Sequence, residues 1–215
     1  MAKMNYYEKR DILNRQRMAK YTEKLPDYCM DFFIGIENNT STLTRYNYAM
    51  DLYIFYDYLS RFQFYKPINE ITLEDLDLLK SRNLEQYLSY LSYYEIDGKQ
   101  YKNDEKGKAR KLASLRSFFK YLFNHDMINS NVASKIETPK LHTKEIIRLE
   151  KDEVKRMMQT IENPTEFSPR QREYLKNNFE RDNAIVTLFL GTGIRISELV
   201  GLNVESFDFS QTGTT

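Results

Sequence analysis

Apolar residues in this chain recur at helical spacing far more often than they alternate. Tyr28, Phe32, Phe33 and Ile36 follow Pro26, which is tolerated in a first helical turn, and Asn38-Asn39 ends that run. A second helix opens in the Thr40–Thr44 cluster of N-cap residues, with Tyr48, Leu52, Phe55, Leu59 and Phe62 as its apolar seam. Thr72 and Asp75 form a capping-box pattern that opens a third helical region carrying Leu76, Leu79, Leu84, Tyr87, Leu88 and Leu91. The polar, glycine-bearing stretch EIDGKQYKNDEKGK reads as an exposed loop. After it, KARKLASLRSFFKYLF places Leu112, Leu115, Phe119 and Leu122 on one face and Lys108, Lys111, Arg116 and Lys120 mainly elsewhere.

Residues 128–149 read as a short helix and then a linker, because Pro139 disfavours helix at Thr138. EKDEVKRMMQTIE is a compact helix ended by Asn163-Pro164, and TEFSPRQREYLKNNFERD reads as a polar insertion. Then come the apolar helix NAIVTLFL, a break at Thr192-Gly193, the helix IRISELVGL, and an alternating ESFDFSQTGTT that looks like an opening strand. The pattern predicts an all-α domain followed by the start of an α+β one. The expected boundaries are an N-terminal extension over 1–25, a helical domain over 26–137, a linker over 138–147 and a second domain over 148–215.

Composition narrows the function classes. A single cysteine, Cys29, excludes an internal disulfide and points to a reducing compartment. The two histidines are far apart, so no metal site is expected. The start is too polar for a signal peptide and the longest apolar run, from Ala184 to Leu190, is too short to span a bilayer, so a cytoplasmic protein is expected. Seventeen tyrosines supply most of the aromatic content; they pack like apolar groups and also suit nucleic-acid surfaces.

Net charge is only +1, but it is segregated. From Met50 to Asp97 four basic residues face nine acidic ones; from Lys99 to Lys120 eight basic face two acidic. Such a basic stretch is either the electrostatic footprint of a polyanion or a solvated helix face. Arg195 is the other charge that needs explaining. It follows the Thr192-Gly193 break inside an apolar run, where a guanidinium is costly to desolvate without an anion. Its partner is either an external anion or Glu198, three residues on.

These stretches resemble the tyrosine recombinases. Thr44, Tyr48, Asp51, Leu52 and Phe55 look like that family's first core-binding helix, and KARKLASLRSFFKYL like a later one. NSNVASKIETPK resembles the exit from that domain, with Val132 where proline is common. EKDEV resembles the opening of the catalytic domain, and RDNAIVTLFLGTGIRISELVGLNVESFDF the segment carrying its first catalytic arginine. The last match is the specific one: Thr-Gly, an apolar residue, Arg, two residues, Glu-Leu, then Gly-Leu.

The resemblance implies a mainly α protein: a helical-bundle, SAM-like core-binding domain followed by a truncated α+β catalytic domain. It implies that Arg195 meets the scissile phosphodiester, with Glu198 in support. It implies double-stranded DNA as partner, with phosphate contacts from Lys108, Lys111, Arg116 and Lys120, from Thr42, Thr44 and Arg45, and from the linker residues Lys140 and Lys144. It further implies a homotetramer on DNA for the full-length protein and strand exchange through a 3′-phosphotyrosine, which conserves the bond energy and uses neither metal nor other cofactor. The family's hairpin lysine, His-x-x-Arg pair, later His or Trp and nucleophilic tyrosine have no counterpart here: neither His125 nor His142 has an arginine three residues on. The chain is therefore expected to bind DNA without cleaving it, and the region after about residue 148 to be marginally stable or to pack against something other than its usual partners. The competing readings are a truncated DNA-binding regulator without catalysis and a helical interaction module whose basic helix is merely solvated.

Overall fold

The computed structural model describes residues 4–141, 147–162 and 167–208. Two compact units divide the chain: Glu8–Thr143, and Lys144–Thr215 together with Met1–Tyr7. The fold is mainly α, as expected.

The first unit is built around α3 (Thr42–Leu59), which opens where Ser41 accepts a hydrogen bond from the Thr44 N–H at 3.1 Å. The expected seam was narrower than the buried surface. Ala49, Leu52, Tyr53, Ile54, Phe55, Tyr56, Tyr58 and Leu59 are all buried, so the second half of α3 is enclosed on nearly every side while Leu43 in its first turn stays exposed. It ends in a π-helical turn, Ser60–Phe64, which leaves Phe62 43% exposed rather than on the core seam. Against α3 packs α6 (Glu105–Asn124), capped by Asp104, with Leu112, Leu115, Phe118, Phe119 and Leu122 buried. Ahead of α3 in sequence, α2 (Tyr28–Gly35) adds Cys29, Phe32 and Phe33 to the core.

The third helical region is two helices, α4 (Leu73–Asp77) and α5 (Ser81–Tyr90). The expected box at α4 is present: the Thr72 N–H donates to Asp75 at 2.7 Å and the Asp75 N–H to the Thr72 hydroxyl at 3.4 Å. An aromatic lattice fills the middle. Phe55, Tyr87, Phe118 and Phe119 meet edge-on, and Tyr56 donates to the Tyr28 hydroxyl, which donates to the Ile71 carbonyl.

Three stretches differ from the sequence reading in this unit. Residues 6–22, read as part of an extension, form helix α1 (Tyr6–Thr22); within it Asp11 accepts from the Thr42 hydroxyl at 2.7 Å and Asn14 is buried. The stretch read as an exposed loop contains a hairpin, β1 (Tyr94–Ile96) and β2 (Lys99–Tyr101), antiparallel with Tyr94 opposite Tyr101. Asp97 and Gly98 turn it with φ of 49° and 72°, the left-handed pair that a two-residue hairpin requires. The short helix expected after Ile128 is a 3-10 turn, Val132–Lys135, capped by Asn131.

The second unit contains α7 (Lys151–Glu162), α8 (Pro169–Thr192) and α9 (Ile196–Leu199). The supposed polar insertion is mostly the first half of α8. Ser168 accepts from the Gln171 N–H, Gln171 accepts from the Ser168 N–H, and Pro169 occupies the first turn. Val154, Met157, Met158 and Ile161 are half-buried, as are Leu175, Phe179, Ile185 and Phe189; no residue of these three helices is fully buried. Glu205 and Ser206, expected to open a strand, lie in a 3-10 turn, Val204–Ser206; residues 209–215 of that expectation, and the Asn163-Pro164 stop, lie outside the described residues.

Candidate functional site

In the second unit the Thr-Gly break is a helix terminus. The Thr192 hydroxyl donates to the Leu188 carbonyl at 2.6 Å and accepts from the Ile194 N–H at 3.2 Å. Gly193, at φ 65°, turns the chain in the left-handed region, and its N–H closes on the Phe189 carbonyl at 3.0 Å. Two residues later the chain starts again as α9, with Arg195 as its N-cap in extended conformation. Arg195 and Glu198 therefore do not share a helix, as the sequence reading had it: the arginine precedes the first turn and the glutamate closes it. Glu198 accepts from the Arg195 backbone N–H at 2.9 Å and from Nη1 at 3.1 Å. These two bonds, the backbone one foremost, hold the Glu198 carboxyl below its ordinary range.

The expected desolvation of Arg195 is not met. Its side chain is 81% exposed, so Glu198 acts on a solvated guanidinium, and Ile196 beside it is exposed as well. An exposed planar fork, steadied at one nitrogen, presents its remaining N–H groups to an incoming anion.

In the first unit the expected DNA-contacting residues separate into two groups. Lys120 and Lys140 are exposed, and Lys108 is half-buried with Nζ donating to the Ser92 hydroxyl at 2.6 Å. Arg116 bridges the chain exit, donating to the Thr138 hydroxyl at 2.8 Å and to the Ile136 carbonyl. Thr42 donates to Asp11, and the Thr44 and Ser41 hydroxyls pair at 2.9 Å.

Arg45 and Lys111 correct the sequence reading. The Arg45 side chain is 7% exposed and donates to the Glu37 and Thr40 carbonyls at 2.7 and 2.9 Å, so it clamps the turn before α3 and does not face solvent. Lys111 is 6% exposed, with Nζ 3.8 Å from Asp51. Asp51, fully buried, accepts two hydrogen bonds from Arg110 at 2.6 and 2.7 Å and one from Ser114 at 2.6 Å. Burial pushes the Lys111 ammonium down, partly opposed by the Asp51 charge. Lys144 lies outside the described residues.

The sequence reading passed over Lys106. With Ala113 and Lys120 it forms an exposed stripe at seven-residue spacing on α6, whereas Lys108 sits roughly 120° around the helix from Lys120. That spacing was the available signal.

Other chemistry is sparse. Cys29 is buried, which pushes its thiol up to about 12, so it is not a thiolate at neutral pH. Among the described residues no three His, Cys, Asp or Glu side chains converge as a metal site would need, and no helix is long and apolar enough to cross a membrane.

The family model described as the phage integrase family matches residues 147–214, the stretch containing the Arg195 turn. Similar proteins extend the match into the first unit. A tyrosine recombinase XerC of Caldanaerobacter subterraneus is 32% identical over 92% of this chain and 53% of its own length. The tyrosine recombinase XerC of Syntrophus aciditrophicus is 33% identical over 84% of this chain and 52% of its length, and a tyrosine recombinase of Agathobacter rectalis 36% identical over 66% and 42%. The chain belongs to the tyrosine recombinase family. It spans about half the length of the curated relatives it matches. No solved structure matches it significantly.

Proposed function

We propose that this chain supplies the DNA-binding and phosphate-engaging parts of a site-specific recombinase that cuts and rejoins duplex DNA through a 3′-phosphotyrosine. The observation that carries the reading is the exposed Arg195 guanidinium, braced by Glu198 at a helix start within the stretch matching the family model. When a tyrosine oxygen attacks phosphorus, negative charge builds on the nonbridging oxygens. A guanidinium fork donates two parallel hydrogen bonds to such oxygens, and a prepositioned donor stabilises that charge better than water does. Glu198 keeps the fork in one orientation without covering it. The reading gives the nucleophile's role to none of the seventeen tyrosines.

In this proposal Glu8–Thr143 is a core-binding domain that grips duplex DNA, and the second unit is the beginning of a catalytic domain. The α6 stripe of Lys106 and Lys120, with Lys108 and Lys140, tracks phosphates, and Ala113 between the two stripe lysines lets the backbone approach. Arg116, Thr42 and Thr44 shape that surface. Four such protomers assemble on two sites.

Two measurements test this. Duplex binding by the 215-residue chain, followed by anisotropy, should weaken log-linearly with salt by roughly 0.9 per phosphate contacted. Salt-independent binding, or none, would favour the helical-module reading. In a protein of the relatives' full length, Arg195→Ala should lose about 10²–10³ in cleavage of a nicked substrate while keeping DNA affinity. Unchanged cleavage would remove Arg195 from the site.

A further inference from the structure

The buried network at Asp51 holds one positive charge more than it needs. Arg110 meets both carboxylate oxygens and Ser114 adds a third hydrogen bond, so Asp51 leaves Lys111 only a longer-range attraction. Lys111 stands 3.8 Å away, beyond hydrogen-bond reach, and its one hydrogen bond among the described residues is to the Asn103 side-chain oxygen at 3.3 Å. An ammonium carries three N–H donors, and this side chain is only 6% exposed. A buried cation with donors to spare calls for an anion.

Lys111 lines a cavity of about 220 Å³ in the first unit. Tyrosine rings make its walls: Tyr94 and Tyr101 stack at 5.4 Å with 22° between planes, and Tyr53 stands opposite the hairpin that carries them. The acid at the hairpin turn is spoken for. Asp97 accepts from the Tyr53 hydroxyl at 2.9 Å and lies 3.8 Å from the Lys24 ammonium. Lys102 adds a second positive charge to the lining. The cavity is thus cationic and flat-walled. A cavity of roughly 150 Å³ holds one benzene ring, so this volume admits a single ring with one small substituent.

We propose that this cavity binds a small planar aromatic carboxylate, with the carboxylate on the Lys111 ammonium and the ring against Tyr94 and Tyr101. The site is separate from the Arg195 turn and from the α6 stripe. Occupancy ties α3, α6 and the hairpin together, since the lining residues Tyr53, Lys111 and Tyr101 come from those three places.

The test is an NMR titration of the ¹⁵N-labelled 215-residue chain with 4-hydroxybenzoate, using benzyl alcohol and inorganic phosphate as uncharged and ringless controls. Saturable amide shifts are expected in residues 94–103 and around Lys111, with both controls at least about tenfold weaker. Lys111→Met should weaken 4-hydroxybenzoate by about tenfold or more, and Tyr101→Ala, at the exposed rim, by roughly fivefold. No saturable shift by about 10 mM, equal binding of either control, or unchanged binding in Lys111→Met would overturn the proposal. If Lys111→Met does not fold, Tyr101→Ala decides: unchanged affinity there overturns it equally.

Discussion

Replacing Asp51 with alanine should be the most damaging single change in the first unit, and the structure says why. Asp51 is fully buried and collects Arg110, Ser114 and, at longer range, Lys111. Removing one partner of a buried ion pair costs about 3–5 kcal/mol, because the remaining charge stays desolvated. Arg110 is 43% exposed and can turn toward water, so its share of that cost is reduced. Lys111, at 6%, has no such escape, and it sets the size of the effect. Asp51→Ala should therefore fall inside the range of about 3–5 kcal/mol, a loss of roughly 10–15 °C in Tm for a unit of this size. Lys111→Met alone should change stability by less than about 1 kcal/mol, since Asp51 keeps Arg110 and Ser114 and the methionine fills the same space. The double variant should then recover part of the Asp51→Ala loss. The assay is a double-mutant cycle by thermal and urea denaturation, followed by far-UV circular dichroism. Strict additivity of the two changes, or an Asp51→Ala cost below about 1 kcal/mol, would refute the argument that a stranded buried ammonium dominates.

Four further predictions are more local. In duplex binding, Lys120→Ala and Lys106→Ala should each lower the salt slope by about 1 without changing stability, whereas Arg45→Ala should lower the melting temperature; the reverse pattern would exchange the surface and clamp roles assigned to them. Gly35→Ala should destabilise by about 1–3 kcal/mol in chemical denaturation, because a Cβ there would overlap the Tyr121 ring and that ring is wedged against Phe32 and His125. For Asp75, burial pulls its carboxyl upward, but hydrogen bonds from Lys66 and Thr72 outweigh it, and the folded value lies below the ordinary 3.8. A depressed acid stabilises above its unfolded pKa and loses that contribution as pH falls through the folded one, so acidification below about pH 4 should erode wild-type stability more than that of Asp75→Asn; parallel pH curves would count against it. Gly193→Val should raise amide exchange across Ile194–Leu199 several-fold, since a β-branched residue at φ 65° is strained; unchanged protection would mean that the turn does not depend on the glycine.

Much of the architecture was written in local signals. Pro26, the Thr72–Asp75 box and the apolar face of α6 each speak through residues within one or two turns, and each element formed where they pointed. What escaped was either polar or remote. Helix α1 buries little apolar surface and earned no periodic signal, because it docks through Asp11 and Asn14 onto Thr42. The Asp97-Gly98 turn was visible, but three-residue strands rich in Glu, Lys and Gln look like loop. The first half of α8 hid behind its charge, although Ser168, Pro169 and Gln171 together spell a helix start. At the candidate site, the break before Arg195 was legible because its hydrogen bonds close within eleven adjacent residues, Leu188 to Glu198. The fates of Lys111 and Arg45 were not: nothing beside Lys111 in sequence reveals that Asp51, sixty residues earlier, holds its helix neighbour Arg110 and draws that face inward.

The Gly193 turn also bears on how such a chain tolerates change. The hydrogen bonds that shape the Gly193 turn and hold Glu198 on Arg195 run between Leu188 and Glu198, so the guanidinium takes its bearing chiefly from its own neighbourhood. Residues gained or lost at the far end of α8 would lengthen or shorten that helix while leaving the arginine's mounting intact. The second unit can thus vary its outer edge from one relative to another as a lamp can stand on a taller or shorter post, with the head unaltered.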